Sequence, residues 1–192
     1  MTKENKGDVI IERFNVFPQE FFEFKFSTEL ITPLYNEVLE KKDEIKRISD
    51  MVAGNHATHD YWTDYLQPVK LNEWEKLMPH IRDYFSNFNC TCDCYWTAIY
   101  GKYGMHALHS HLQSLFKPKI NNFSCVLYLT NVGSTTFFNP NTHNVTEPFL
   151  NLKSQLGKLI MFPGNIIHTS SPHNLDREKI IISANWQITS NL

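Results

Sequence analysis

A chain of 192 residues, 42% of them hydrophobic and 14% aromatic, can bury one substantial core and reads as a single domain over 1–192. Its formal net charge is −2 and its lysines and arginines are scattered, which excludes the massed cationic footprint of general nucleic-acid binding. No apolar run approaches the ~20 residues of a membrane span, and the polar stretch Met1 to Asp8 leads into none of signal-peptide length, so a soluble, cytoplasmic protein is expected.

In chain order, Val9 to Phe17 and Phe21 to Phe26 are aromatic and β-prone. Thr32-Pro33 offers an N-cap and a first helical position, and Leu34, Val38, Leu39, Ile45 and Ile48 follow at helical spacing, predicting a helix over 32–50. Residues 51–70 have no period and read as a loop, in which His56, His59, Trp62 and Tyr65 read either as a substrate lid over the barrel mouth or, equally, as a poorly ordered connection. Asn72-Glu73-Trp74-Glu75 resembles a capping box and opens a second helix through Leu77, Ile81, Tyr84 and Phe85 to Asn87, with a kink at Pro79.

Beyond Asn89 the pattern changes to short β-prone runs between turn residues, over 92–100, 107–111, 124–129, 135–138, 159–162 and 179–188. This order predicts an α+β, mainly β fold in which two N-terminal helices support an antiparallel double sheet or jelly roll. Cys90, Cys92 and Cys94 alternate, which puts three thiols on one face of a strand; without the usual CxxC spacing they read as buried strand residues rather than a thiolate metal site. Asn89, Asn122 and Asn144 open N-x-[ST] triplets that read as composition in a chain expected to stay in the cytoplasm.

Three histidines carry the chemistry. His109 and His111 stand two apart, so on an extended strand both imidazoles project from one face and can reach one ion about 2 Å from each ring nitrogen. Met161-Phe162-Pro163-Gly164-Asn165-Ile166-Ile167-His168 is an apolar strand broken by a Pro-Gly turn that then delivers a third histidine. Converging from the walls of a small β-barrel, His109, His111 and His168 form a candidate metal site.

Those residues belong to wider blocks: Tyr100 to Gly104, His106-x-x-His109-x-His111, Phe123 to Leu129, Gly157 to Pro163, His168-x-x-x-Pro172 and Ile181-Ile182-Ser183-x-Asn185. Their order and spacing resemble the 2-oxoglutarate and Fe(II)-dependent oxygenases, especially a small group common in marine phages and bacteria, over roughly residues 96–188. The resemblance implies a double-stranded β-helix (cupin-like) in which His109, His111 and His168 hold Fe(II), with 2-oxoglutarate and O2 as co-substrates. It implies hydroxylation of a C–H bond with release of succinate and CO2, and a cytoplasmic location, that of the host for a phage-encoded member. Small molecules and protein side chains both stay open as substrates, with no nucleic-acid or membrane partner expected and the oligomeric state open.

One departure concerns charge. Most of these enzymes place a carboxylate where His111 stands, and no acidic residue occurs between Asp93 and Glu147; Glu147 reads either as the missing carboxylate ligand or, more ordinarily, as an exposed loop residue before Pro148. The far carboxylate of 2-oxoglutarate needs a cation after the distal histidine, and Arg177 and Lys179 share the strand parity of Ile181 and Ser183. Tyr128 and Ser183 are candidate hydroxyl donors to the same carboxylate, and His106 and Asn185 match the blocks without an assigned role. The competing readings are a cupin-like three-histidine metalloenzyme that does not use 2-oxoglutarate, and an inactive barrel kept as a binding module.

Overall fold

The computed structural model describes residues 2–16, 19–52, 60–111, 113–114, 117–120, 123–139 and 148–190. Among them the chain forms β1 (Thr2–Lys6), β2 (Val9–Val16), β3 (Gln19–Phe26), α1 (Thr28–Glu40), α2 (Lys42–Val52), β4 (Tyr61–Thr63), α3 (Asn72–Tyr84) and β5 (Phe88–Tyr100). Then come β6 (Gln113–Ser114), β7 (Lys117–Ile120), β8 (Phe123–Tyr128), β9 (Ser134–Phe138), β10 (Phe149–Lys153), β11 (Lys158–Pro163), β12 (His168–Ser171) and β13 (Lys179–Ser190).

The protein is mainly β. An eight-stranded antiparallel sheet runs β1-β2-β3-β11-β8-β13-β5-β4, a three-stranded sheet runs β10-β9-β12, and β6 and β7 pair as a hairpin within the 112–122 stretch. Alternation sorts the large sheet's side chains onto two apolar faces. Leu127, Leu159, Ile180, Ile182 and Trp186 pack with Ile31, Leu34, Val38, Ile45, Trp74 and Ile81 of the helices. Tyr100, Val126, Tyr128, Ile160, Phe162 and Ile181 point the other way, onto Phe137 of the small sheet and Ile166. Central strands buried on both faces explain why 124–129 and 179–188 read as continuous apolar runs.

The expected helix over 32–50 is two helices. α1 begins at Thr28, because Ile31 belongs to the same buried face as Leu34 and Val38, and Pro33 lies inside it. The chain leaves helical geometry at Lys41 and restarts, so that Ile45 and Ile48 stay buried while α2 passes β4, where Ser49 Oγ accepts the Thr63 N–H at 3.0 Å. The expected capping box at 72–75 does not form. Leu71 is the N-cap, and the orphan N–H groups of Asn72 and Glu73 donate at 2.9 and 2.8 Å to the Glu37 carboxylate, so α1 caps α3.

Within the expected loop, β4 adds an edge strand to β5, and the Asp64 carboxylate continues it by accepting the Thr97 and Val69 N–H groups at 2.6 and 2.7 Å. Trp62 lies under the Lys46 ammonium on the helix side and is no part of a lid; Tyr65 packs on Trp96; His56 and His59 fall outside the described residues.

The cysteines do not share one face. The β5–β13 ladder shifts register between Cys94 and Cys92, paired with Asn185 and Trp186, leaving Asp93 as the extra residue of a bulge. Cys90 and Cys92 pack towards the helices, whereas Cys94 accepts a hydrogen bond from Asn185 Nδ2 at 3.6 Å. No helix among the described residues is long and apolar enough to cross a membrane.

Candidate metal and co-substrate site

The expected strand over 107–111 is reduced to a single bridge. His109 and His168 exchange both backbone hydrogen bonds, at 3.1 and 2.9 Å, while the His111 N–H donates to Gly164 O at 2.8 Å. Gly101 and Gly104 let this segment close against the chain before β4: a Cβ on Gly104 would meet Asp60 O at 2.2 Å. The result gathers His109, His111 and His168 so that their ligand atoms all lie within 4.8 Å of one another.

Each ring is held differently. His168 is 3% exposed, packed edge-on to Phe162 at 4.8 Å and stacked on Phe137, with Nδ1 at 3.1 Å from Ile166 O. His109 Nδ1 is 2.8 Å from Ala107 O. A ring nitrogen facing a carbonyl carries the proton, so both rings offer Nε2 as a lone pair. His111 leans on Trp96, and its Nε2 lies 3.3 Å from His168 Nε2. Burial opposes protonation of all three: His109 is lowered, His111 is pushed down to about 3 and His168 falls well below the ordinary range, the neighbouring imidazoles adding to the effect on the last two. Three neutral imidazoles with converging lone pairs suit a divalent transition metal, and no carboxylate joins them among the described residues. Glu147 lies outside those residues.

Beside the triad is a buried cation. Lys179 is fully buried, and its ammonium donates to Ser134 O at 2.5 Å, Ser170 Oγ at 2.9 Å and Thr135 Oγ1 at 3.5 Å. It lies over the rings of Tyr100 and Tyr128, 5.3 and 5.8 Å from their centroids. No carboxylate pairs with it among the described residues, and burial alone pushes its pKa down to about 7. Ser170 stands two residues after His168 on the same face of β12, which sets the ammonium roughly 7 Å along the strand from the third histidine. Gly133 at φ +73° permits this closeness, since a Cβ there would stand 3.1 Å from the Lys179 chain.

The other expected residues separate. Arg177 is exposed in the turn before β13, beside Tyr35 and Leu39 on the outer surface. Tyr128 is buried next to Lys179, its hydroxyl without a partner of hydrogen-bonding geometry among the described residues and Thr135 its near neighbour. Ser183 is buried opposite Trp96, four residues from Lys179 and so roughly 13 Å along β13, which is too far for one carboxylate to touch both. Asn185 and Ser124 join through a 3.1 Å hydrogen bond further along the same face. Sequence reading missed Tyr100, Ser170 and Thr135 around the ammonium and Trp96 beside His111. Ser170 alone was legible, from its two-residue offset to His168; the others arrive through cross-strand register.

No family model and no curated protein matches the chain. Solved structures do. The non-haem alpha-ketoglutarate-dependent carbocyclase SnoK from nogalamycin biosynthesis superposes with a TM-score of 0.66 at 12% identity, covering 89% of this chain and 80% of that one. A Trichoplax adhaerens prolyl hydroxylase, in complex with a hypoxia inducible factor peptide fragment, superposes at 0.62 with 12% identity over 92% and 82%. A viral collagen prolyl hydroxylase from Paramecium Bursaria Chlorella virus-1, in a 2-oxoglutarate complex, superposes at 0.56 with 15% identity over 92% and 94%. Together with the histidine triad, these matches give the protein the fold of the 2-oxoglutarate and Fe(II)-dependent oxygenases.

Proposed function

We propose that this protein is a non-haem Fe(II) and 2-oxoglutarate-dependent oxygenase of hydroxylase type, its two sheets forming a double-stranded β-helix. His109, His111 and His168 hold the metal, and Lys179 binds the far carboxylate of the co-substrate. The observation that carries the reading is the buried ammonium of Lys179, which meets no carboxylate among the described residues, in the same interior as the triad. A buried cation without a counter-ion is costly, and an anionic ligand removes that cost. Its offset from His168 is comparable with the length of a five-carbon diacid. A three-histidine metalloenzyme that dispenses with 2-oxoglutarate would need another anionic ligand to meet that cation.

When bound, Fe(II), 2-oxoglutarate and O2 supply the oxidising chemistry, in which co-substrate becomes succinate and CO2 while a substrate C–H bond becomes C–OH. The chain's own part is to bind and orient. Ile166 O and Ala107 O keep Nε2 of His168 and His109 free, and burial keeps the imidazoles unprotonated. Lys179, aided by Tyr128 and Thr135, fixes the co-substrate's far end. Phe137 and Phe162 exclude water behind His168. Neutral ligands leave the full double charge on the metal, which favours a dianionic co-substrate. Ser183 and Trp96 stand opposite each other on the face of the sheet that carries the site, Trp96 against His111, and small molecules and protein side chains both stay open as substrates.

The test is anaerobic titration with Fe(II) with and without 2-oxoglutarate, followed by succinate analysis on admitting air. A weak visible charge-transfer band that needs all three components, vanishes in His168→Ala and precedes succinate release is the expected result. A protein that binds neither iron nor 2-oxoglutarate overturns the reading, and one that binds iron alone returns it to the metalloenzyme class without a co-substrate.

A further inference from the structure

The three histidines are supported differently: His168 belongs to β12 and is wedged between two phenylalanines, His111 leans on Trp96, and His109, bridged to His168 through its main chain, has Nδ1 2.8 Å from Ala107 O. Among the described residues, the ring outside the triad that packs on His109 is His106, at 4.0 Å between centroids and 72° between planes. His106 in turn stacks on Tyr61 at 5.3 Å and 26°, and Tyr61 lies against Tyr100 at 4.8 Å. The main chain of His106 is pinned as well: its N–H donates to Ser170 O at 3.4 Å, and the Thr169 hydroxyl donates to its carbonyl.

The stack has a structural origin. β4 contributes three residues to the edge of the large sheet, and its register sets Tyr61 opposite Tyr100, which is itself opposite Lys179. A three-residue edge strand adds little stability by itself. What it adds here is a ring beneath His106.

We infer that His106 and Tyr61 form a two-ring brace that fixes the imidazole of His109 in its ligating orientation, making His106 a positioning residue for the metal site; this rests on the metal-site reading above. The brace acts by shape. An aromatic ring in place of the imidazole at 106 serves as well, while loss of the ring removes a packed wall from His109 and leaves its rotation restrained by the Nδ1 contact with Ala107 O. Groups that orient metal ligands typically govern affinity by about 10- to 100-fold, and this sets the expected scale.

The experiment uses the whole chain with Co(II) as the probe, reading affinity by titration and ligand geometry by the visible d–d absorption. His106→Ala is expected to weaken Co(II) about 10-fold or more and to change the band shape, with an unaltered circular dichroism spectrum. His106→Phe is expected to restore both readouts to those of the unsubstituted protein. Wild-type affinity and band shape in His106→Ala overturn the brace while the metal-site reading stands. Failure of His106→Phe to rescue overturns it too, because the imidazole nitrogens and not the ring then matter. An unsubstituted protein that binds no Co(II) overturns the metal-site reading and the brace with it.

Discussion

In the proposed reading, Lys179 is the residue outside the histidines on which co-substrate binding rests. Charge-assisted hydrogen bonds contribute about 1.5–3 kcal/mol, so Lys179→Met is expected to weaken 2-oxoglutarate about 10- to 100-fold in calorimetric titration of the metal-loaded protein while leaving metal affinity in place. Arg177→Ala is expected to change neither, since Arg177 is exposed on the outer surface. Sequence parity alone placed both cations on one side of a strand; the strand begins at Lys179, so parity has no meaning at 177. The lowered ammonium also predicts a pH profile. A bound dianion restores the protonated lysine, so above about pH 7 binding takes up a proton and 2-oxoglutarate affinity falls, by as much as tenfold per unit, whereas below pH 7 this group adds no slope. For folding the sign is opposite. Between about 7 and the ordinary 10.5 the unfolded chain holds a proton that the folded one has released, so the contribution of Lys179 to stability rises with pH across that window in the protein without co-substrate. Titrations on either side of neutrality, and urea unfolding at matched pH, check both signs.

At the scale of elements, the connection between α2 and α3 carries information that periodicity does not show. A three-residue strand has too few positions for alternation to be visible, and β4 is recognised only because β5 offers it an edge. Asp64 holds that edge by side chain where the strand stops. Burial raises its carboxyl to about 6 in spite of the two N–H groups it accepts, which leaves it ionised above that pH. Asp64→Ala orphans the Thr97 and Val69 N–H groups, and an unsatisfied buried donor costs about 1–3 kcal/mol, so a loss of about 2–6 kcal/mol is expected in denaturant unfolding. The same blindness explains the failed capping box and the split thiol row. Glu37 reaches the N–H groups of α3 from another helix, and the bulge at Asp93 reverses parity through a mismatch with β13. Neither partner lies within the window where local pattern is read.

Across the whole molecule, the large sheet divides two apolar layers, one against the helices and one against the small sheet and the site. Neighbouring residues of β13 therefore report on different things. Ile182→Ala opens the helix-side layer and is expected to cost about 2–5 kcal/mol in urea unfolding while Co(II) affinity of the folded protein holds; a matching loss of Co(II) affinity would show that the layers are coupled. The strands expected over 92–100, 124–129, 135–138, 159–162 and 179–188, the mainly β character and the three histidines were legible in the sequence, because two-residue alternation, continuous apolar runs and the HxH spacing are local properties of the chain, whereas the short β6, β7, β10 and β12 were not and 107–111 yields only a bridge. Tertiary structure alone decided that His109 and His168 exchange backbone bonds, that Lys179 faces the interior while Arg177 stays outside, and that Tyr61 meets His106. Each of these depends on which strands pair and in what register, and register is set by the burial of faces contributed by residues far away in the chain.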